Sequence, residues 1–232
     1  MKKILVIGKP IKHSKSPLIH NRWIKKRKIE CIYGKEELEE ANLKKIIKKV
    51  KDKQLIGFNV TVPYKEKIKN LIQENDEFAE ASGAVNTVYM KNNVVIGSNT
   101  DGEGFIMSLK KDLDYEINKK TRVFVVGAGG AARGIIYSIL KRNIKELTIT
   151  NRKEENIYKL INDLKKHINC KDIKIENWKT KKVKSNIDLV VNASSYGMKK
   201  EDKLFLNIDS CKKDACFYDI IYSPLKTDFL KR

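Results

Sequence analysis

The sequence predicts an α/β protein built in two parts, and three observations predict it. Strand-like and helix-like patterns alternate along the whole chain, which is how sheets layered with helices read. At Gly127-Ala128-Gly129-Gly130 a glycine-rich turn directly follows an apolar run and opens an apolar helix, the context in which such a turn holds a dinucleotide. The 232 residues amount to about one and a half domains of ordinary size, so two modest domains fit. Residues 1–101 form the expected first domain, an α/β unit, and residues 102–232 a second, Rossmann-like unit.

In the first part, residues 4–7 form a short apolar strand, and residues 17–28 a helix behind a capping region at Ser14 and Ser16. Residues 38–50 carry helical spacing. Residues 57–62 are β-branched and stop at Pro63, because proline removes a ladder donor. Helices are expected over 65–72 and 76–81, then strands over 85–90 and 94–96 that flank Asn92-Asn93 as a hairpin. The second part opens with a helix over 101–109 and a polar stretch to Thr121. Strands follow at 122–126, 147–150, 173–176, 187–192 and 217–221, with helices at 134–140 and 154–166.

Composition removes several function classes. Hydrophobic residues make up 41% and charged residues 34%, and no run of about 18 apolar residues occurs, so neither a membrane span nor a wholly disordered chain is expected. The N-terminal apolar run stops after four residues, short of the seven or more of a signal peptide. The net charge of +20 raises nucleic acid as a partner, but the lysines are scattered in pairs such as Lys25-Lys26, Lys44-Lys45, Lys119-Lys120 and Lys199-Lys200. Pairs of that kind are solvated surface, and neither nucleic acid nor membrane is expected as a partner. Cys31, Cys170, Cys211 and Cys216 have no CxxC spacing and no clustered histidine, so a reducing, cytoplasmic setting and no metal are expected. The oligomeric state stays open, a homodimer being among the options.

The glycine turn has a geometric logic. Gly127 permits a tight turn, Gly129 lets a pyrophosphate approach the backbone, and Ala132 allows close packing of the helix. The helix N-terminus then offers N–H groups and positive potential to the anion. About twenty residues on, a site for NAD would carry an acid for the ribose 2′-OH. The chain has Asn151-Arg152-Lys153 instead. Two cations and no acid suit a 2′-phosphate, so NADP is the expected cofactor.

The first part carries polar clusters that a buried strand does not need. Ser14 and Ser16 stand just before a helix, and alternation places Asn59 and Thr61 on one strand face ahead of Lys65. Asn86 and Asp101 end two further segments. In these residues the chain closely resembles the shikimate dehydrogenase family. The matching motifs are Gly8-x-Pro10-x-x-His13-Ser14-x-Ser16-Pro17-x-x-His20-Asn21, Asn59-Val60-Thr61-Val62-Pro63-x-Lys65, Gly83-Ala84-Val85-Asn86-Thr87 and Asn99-Thr100-Asp101-Gly102. They continue as Gly127 to Arg133, Asn192-Ala193-Ser194-Ser195-x-Gly197-Met198 and Asp219-x-x-Tyr222-x-Pro224-x-x-Thr227. All seven stand in family order.

The resemblance implies a reversible reduction of 3-dehydroshikimate to shikimate with NADPH, in a cleft between a substrate domain and an NADP domain. It implies that Ser14 and Ser16 hold the substrate carboxylate, that Asn59 belongs to the substrate site, and that Thr61, Asn86 and Asp101 bond ring hydroxyls. It makes Lys65 and Asp101 the catalytic pair and places Tyr222 against the substrate. Gly127, Ala128, Gly129, Gly130 and Ala131, with residues 151–156 (Asn151, Arg152 and Lys153 first among them), correspond to NADP contacts, as do Ile220 and Glu77. Chemically, hydride delivered to a ketone leaves alkoxide charge, so a proton donor must lie within hydrogen-bond reach. An ammonium beside a carboxylate stays charged and aimed.

Family members continue beyond Thr227 with a glycine-containing loop, a Met-Leu-x-x-Gln helix and a closing helix, whereas this sequence ends at Phe229-Leu230-Lys231-Arg232. The expectation is a chain cut short or a reduced form. Two other readings compete: a quinate/shikimate-type dehydrogenase using NAD, against which Asn151-Arg152-Lys153 speaks, and a basic, non-catalytic Rossmann binding protein. His13 and His20 read as structural, His167 as surface, and Trp23 and Trp178 as packing or surface aromatics.

Overall fold

Short β-branched runs punctuated by proline, glycine and asparagine become strands, and the periodic segments between them become covering helices. The computed structural model describes residues 2–199 and 201–231; Met1, Arg232 and the second lysine of Lys199-Lys200 lie outside the described residues. The chain divides into two compact units, Met1–Thr100 and Asp101–Arg232, one residue before the expected boundary.

The first unit runs β1 (Lys2–Gly8), α1 (Ser16–Lys26), β2 (Cys31–Glu37), a 3-10 turn (Glu40–Asn42), α2 (Leu43–Lys51), β3 (Gly57–Val60), α3 (Lys65–Lys69), β4 (Glu74–Asn75), α4 (Glu77–Ser82), β5 (Thr87–Lys91) and β6 (Val94–Ser98). They build a six-stranded sheet in the order β2-β1-β3-β5-β6-β4. β1 runs parallel to β2 and β3, while β5 is antiparallel to β3 and β6. Alternation along β1 sends Leu5 and Ile7 to a core with Leu43, Ile46, Val50 and Phe58, and Val6 to a smaller one with Ile11 and Tyr33. Asn92 and Asn93 take φ of 51° and 63°, the left-handed pair that a tight hairpin requires. Asp76 caps α4 by accepting the Ala79 N–H at 2.7 Å.

Several expectations shift. β2 had no counterpart in the sequence reading, because its second half is Lys35-Glu36-Glu37 and it is an edge strand with only one face covered. α1 starts with proline in its first turn after Lys15, and Ser14 and Ser16 do not cap it; Ser14 Oγ accepts the Ser16 N–H instead. β3 ends at Val60, two residues early, since Thr61 already begins a turn closed by the Tyr64 N–H at 3.1 Å.

The second unit runs α5 (Asp101–Leu113), β7 (Arg122–Val126), α6 (Gly130–Leu140), β8 (Glu146–Thr150), α7 (Glu155–Leu164), β9 (Ile173–Ile175), β10 (Leu189–Asn192), β11 (Cys216–Asp219) and α8 (Asp228–Lys231). Its five strands are all parallel, in the order β11-β10-β7-β8-β9. α6 begins four residues earlier than its apolar run, on the glycines themselves. Phe124, Val126 and Val190 anchor one core with Val183, Leu204 and Phe229. Among the described residues no helix is long and apolar enough to cross a membrane.

Candidate active site

In a doubly wound sheet the ligand crevice lies at the carboxyl ends of the strands where their order reverses. In the second unit that point falls between β7 and β10. Gly127 ends β7 at φ +116°, and a Cβ on it would meet the Ala193 carbonyl oxygen at 3.0 Å, so the turn demands glycine twice over. Gly129 is different. A Cβ there would meet nothing within 4 Å and its φ of −85° is ordinary, so nothing inside the protein needs a glycine at this place. What the missing side chain leaves is open space over the backbone, at the N-terminus of an eleven-residue helix that no side chain caps. A pyrophosphate fits this cradle. Ala128 is buried beneath it, while Gly130 and Ala131 are half-buried.

β8 delivers the next group. The Gly127 N–H donates to Thr150 O at 2.8 Å, which ties the ends of β7 and β8 together. Asn151 then donates from Nδ2 to the Lys153 carbonyl at 2.7 Å, shaping the turn. Arg152 and Lys153 are exposed, and no carboxylate among the described residues pairs with Arg152. The Arg152 guanidinium lies 5.8 Å from the centroid of the Tyr196 ring. Ile220 follows β11 half-buried, and Tyr222 is exposed.

In the first unit the predicted substrate residues gather where β1 and β3 end and β5 begins. A Cβ on Gly8 would meet Thr61 Cγ2 at 2.5 Å and the Val62 carbonyl oxygen at 2.9 Å, so glycine lets the two loops touch, and the Lys9 N–H bonds Val62 O at 3.0 Å. Lys65 opens α3, half-buried, and its carbonyl accepts the Val85 N–H at 2.9 Å. Asn86 is buried; its Oδ1 accepts the Thr100 N–H at 3.1 Å and the Thr87 hydroxyl at 2.8 Å. Asp101 is the next residue and the first of α5. Glu77 heads α4, exposed.

Asn59, expected in the substrate site, is tied to its neighbours. Its Nδ2 donates to Asn86 O at 3.3 Å and Thr87 Oγ1 at 3.0 Å, and its Oδ1 accepts the Tyr33 hydroxyl at 2.6 Å. Both amide hydrogens are taken. Tyr33 is the residue that sequence reasoning missed. Asn21 holds its backbone from both sides, at 2.8 and 2.9 Å, and His20 stacks on its ring at 4.2 Å. Burial pushes the Tyr33 phenol up, with the Ser16 hydroxyl beside it acting the other way. Burial also lowers His20. The available signal was Asn21, whose place in the His20-Asn21 motif had no assigned task.

Carried on one chain, an open glycine cradle at a helix N-terminus, cations after the next strand, and hydroxyls, amides and a lysine at strand ends of the first unit define an oxidoreductase class dependent on a phosphorylated dinucleotide. Comparison with known proteins makes this specific. The family model for the shikimate dehydrogenase substrate binding domain matches residues 6–88, and that for shikimate/quinate 5-dehydrogenase matches residues 108–200. An NADP(+) shikimate dehydrogenase of Pelagibacter ubique is 42% identical over 99% of this chain and 83% of its own length. A crystal structure of a shikimate dehydrogenase in complex with NADP+ superposes with a TM-score of 0.89 at 31% identity, over 100% of this chain and 80% of that one. The Aquifex aeolicus shikimate dehydrogenase structure gives 0.86 at 35% identity, over 100% and 82%. The chain belongs to the shikimate dehydrogenase family.

Proposed function

We propose that the chain catalyses the reversible, NADPH-dependent reduction of 3-dehydroshikimate to shikimate, a step of chorismate and aromatic amino-acid biosynthesis. The observation that carries this reading is the 42% identity to an NADP(+) shikimate dehydrogenase across 99% of the chain. The open cradle at Gly129 and the Arg152 guanidinium, which pairs with no carboxylate among the described residues, support the cofactor. When bound, NADPH supplies the hydride. Gly127, Ala128, Gly129, Gly130 and Ala131 would hold its pyrophosphate and Asn151, Arg152 and Lys153 its 2′-phosphate, with Ile220 and Glu77 assigned to the same cofactor by resemblance.

On the substrate side, Ser14 and Ser16 present hydroxyls to the carboxylate, Thr61, Asn86 and Asp101 bond ring hydroxyls, and Tyr222 contacts the ring. Asn59 acts from behind, by fixing Thr87 and the Asn86 carbonyl. Lys65 gives its proton to the oxygen that gains charge during reduction and takes it back during oxidation, and the Asp101 carboxylate orients the ammonium. Paired hydrogen bonds to a polyol reject analogues that lack a hydroxyl, because the protein groups would be left unmatched. A cytoplasmic setting accords with Cys31, Cys170, Cys211 and Cys216, which are all free thiols.

The test is turnover of shikimate with NADP+ by the purified chain, run beside NAD+, beside quinate and beside Lys65→Ala. Oxidation of shikimate with formation of NADPH is expected, with kcat for Lys65→Ala lower by about 10²- to 10⁴-fold. Equal turnover in parent and variant would remove Lys65 from the reaction, and a preference for quinate with NAD+ would overturn the assignment.

A further inference from the structure

Arg152 does not stand alone. Its guanidinium lies over Tyr196, the Tyr196 ring lies 5.1 Å from Trp178 at a tilt of 48°, and the Lys181 ammonium lies 4.7 Å from the Trp178 ring centroid. Cation and ring are within the roughly 6 Å at which the quadrupole attracts a cation. The four residues come from loops that follow three different strands: Arg152 after β8, Trp178 and Lys181 after β9, Tyr196 after β10. Neither aromatic is required by the family motifs, since Tyr196 occupies the variable place in Ser194-Ser195-x-Gly197.

The rings are held in place rather than lying loose on the surface. Fully buried Asn192 donates to the Tyr196 carbonyl at 3.0 Å, and the Tyr196 N–H donates to Ser194 Oγ at 3.2 Å. Tyr196 and Trp178 both pack against the core of Phe124, Val126 and Val190. Lys181 Nζ also donates to the Trp178 carbonyl at 2.8 Å. An arginine side chain loses rotamer freedom when it is fixed. A platform that fixes it before the ligand arrives removes part of that cost from binding. The Tyr196 contact at 5.8 Å is no hydrogen bond and takes none of the guanidinium N–H donors, whose fork geometry suits a phosphate.

We propose that Tyr196, backed by Trp178, is a positioning residue that holds the Arg152 guanidinium for the cofactor's 2′-phosphate and so strengthens this chain's discrimination of NADP from NAD. The proposal rests on the NADP reading of the site, and the experiment separates the two. Kinetics are measured with NADP+ and with NAD+ for the parent, Tyr196→Leu, Tyr196→Phe, Arg152→Met and the Tyr196→Leu/Arg152→Met double variant, each checked for its melting temperature.

Tyr196→Leu is expected to raise KM for NADP+ roughly 2- to 5-fold, the scale of an exposed cation–π contact, with KM for NAD+ and kcat unchanged. Tyr196→Phe keeps the ring and retains the parent preference. In the Arg152→Met background Tyr196→Leu adds nothing, because the group it positions is gone. The proposal is overturned if Tyr196→Leu weakens both cofactors equally, if Tyr196→Phe behaves like Tyr196→Leu, or if the leucine costs the same with and without Arg152. An unchanged NADP preference in Arg152→Met would instead remove the phosphate reading itself, and the proposal with it.

Discussion

Asn59 shows how residue type and residue role separate. Its place on a strand ahead of Lys65 made it a natural hydrogen-bonding group for a polyol, yet its partners Tyr33, Asn86 and Thr87 lie 26 to 28 positions away in sequence and consume the carboxamide. No spacing rule can report that, because it depends on which strand lies beside which. The Tyr33 hydroxyl is the donor that fixes Asn59 Oδ1, and Asn59 in turn fixes Thr87. Tyr33→Phe should therefore leave an acceptor without its donor, at a cost of about 1–3 kcal/mol. It should also raise KM for shikimate about fivefold, the equivalent of about 1 kcal/mol, with KM for NADP+ unchanged. Denaturant titration and the KM pair check this, and equal shifts in both KM values would assign Tyr33 to general stability alone.

At the scale of elements, what was legible follows from how local the cause is. The β7, glycine turn and α6 unit could be read because the strand, the special backbone at Gly127 and the open Gly129 are contiguous in sequence. The hairpin at Asn92 and Asn93 was legible for the same reason. β2 was not, since its pairing partner is β1 and its polar second half matches no strand pattern. The stack of His20 from α1 on Tyr33 from β2 has a pH consequence. Burial lowers His20 below the ordinary histidine value, so the unfolded chain binds its proton more readily than the folded one. The stability tied to it is present above about pH 6.5 and is lost as pH falls toward the lowered native value. Acidification from about pH 7.5 to 5.5 should lower the melting temperature of the parent more than that of His20→Gln, and identical slopes would show that His20 is not the titrating group.

A second element-scale prediction concerns the crossing of α5 and α6. A Cβ on Gly102 would meet the Gly134 carbonyl oxygen and Ser138 Oγ, each at 2.2 Å. Alanine would gain about 1 kcal/mol of helix propensity over glycine, but one of the two clashing atoms is backbone and cannot rotate aside. Overpacking at about 1–3 kcal/mol therefore wins. Gly102→Ala should destabilise the second unit and, because Asp101 is the preceding residue of α5, lower kcat as well. A stabilised, fully active variant would show that the two helices do not pack this closely.

For the whole molecule the dominant physical fact is charge. Residues 1–100 carry 21 Lys and Arg against 11 Asp and Glu, and residues 101–232 carry 28 against 18, so each unit holds an excess of ten positive charges (21 − 11 and 28 − 18). An excess divided so evenly acts as self-repulsion within each unit. Ion pairs work in the opposite sense under salt, but pairs such as Lys9 with Glu39, Lys48 with Asp52 and Lys110 with Glu116 are largely exposed, and exposed pairs contribute about 0–1 kcal/mol at most. Screening should thus relieve more repulsion than attraction. The screening length falls from about 30 Å at 0.01 M salt to about 8 Å at 0.15 M, a range over which the repulsion within a unit is largely switched off. The melting temperature of the 232-residue chain should rise by several degrees across that range, at about 2–4 °C for each kcal/mol recovered. Sodium chloride is the salt to use, because sulfate or phosphate would also occupy the cradle at Gly129 and stabilise by binding. A melting temperature that falls with sodium chloride would mean that the ion pairs outweigh the net charge, and the repulsion argument would fail.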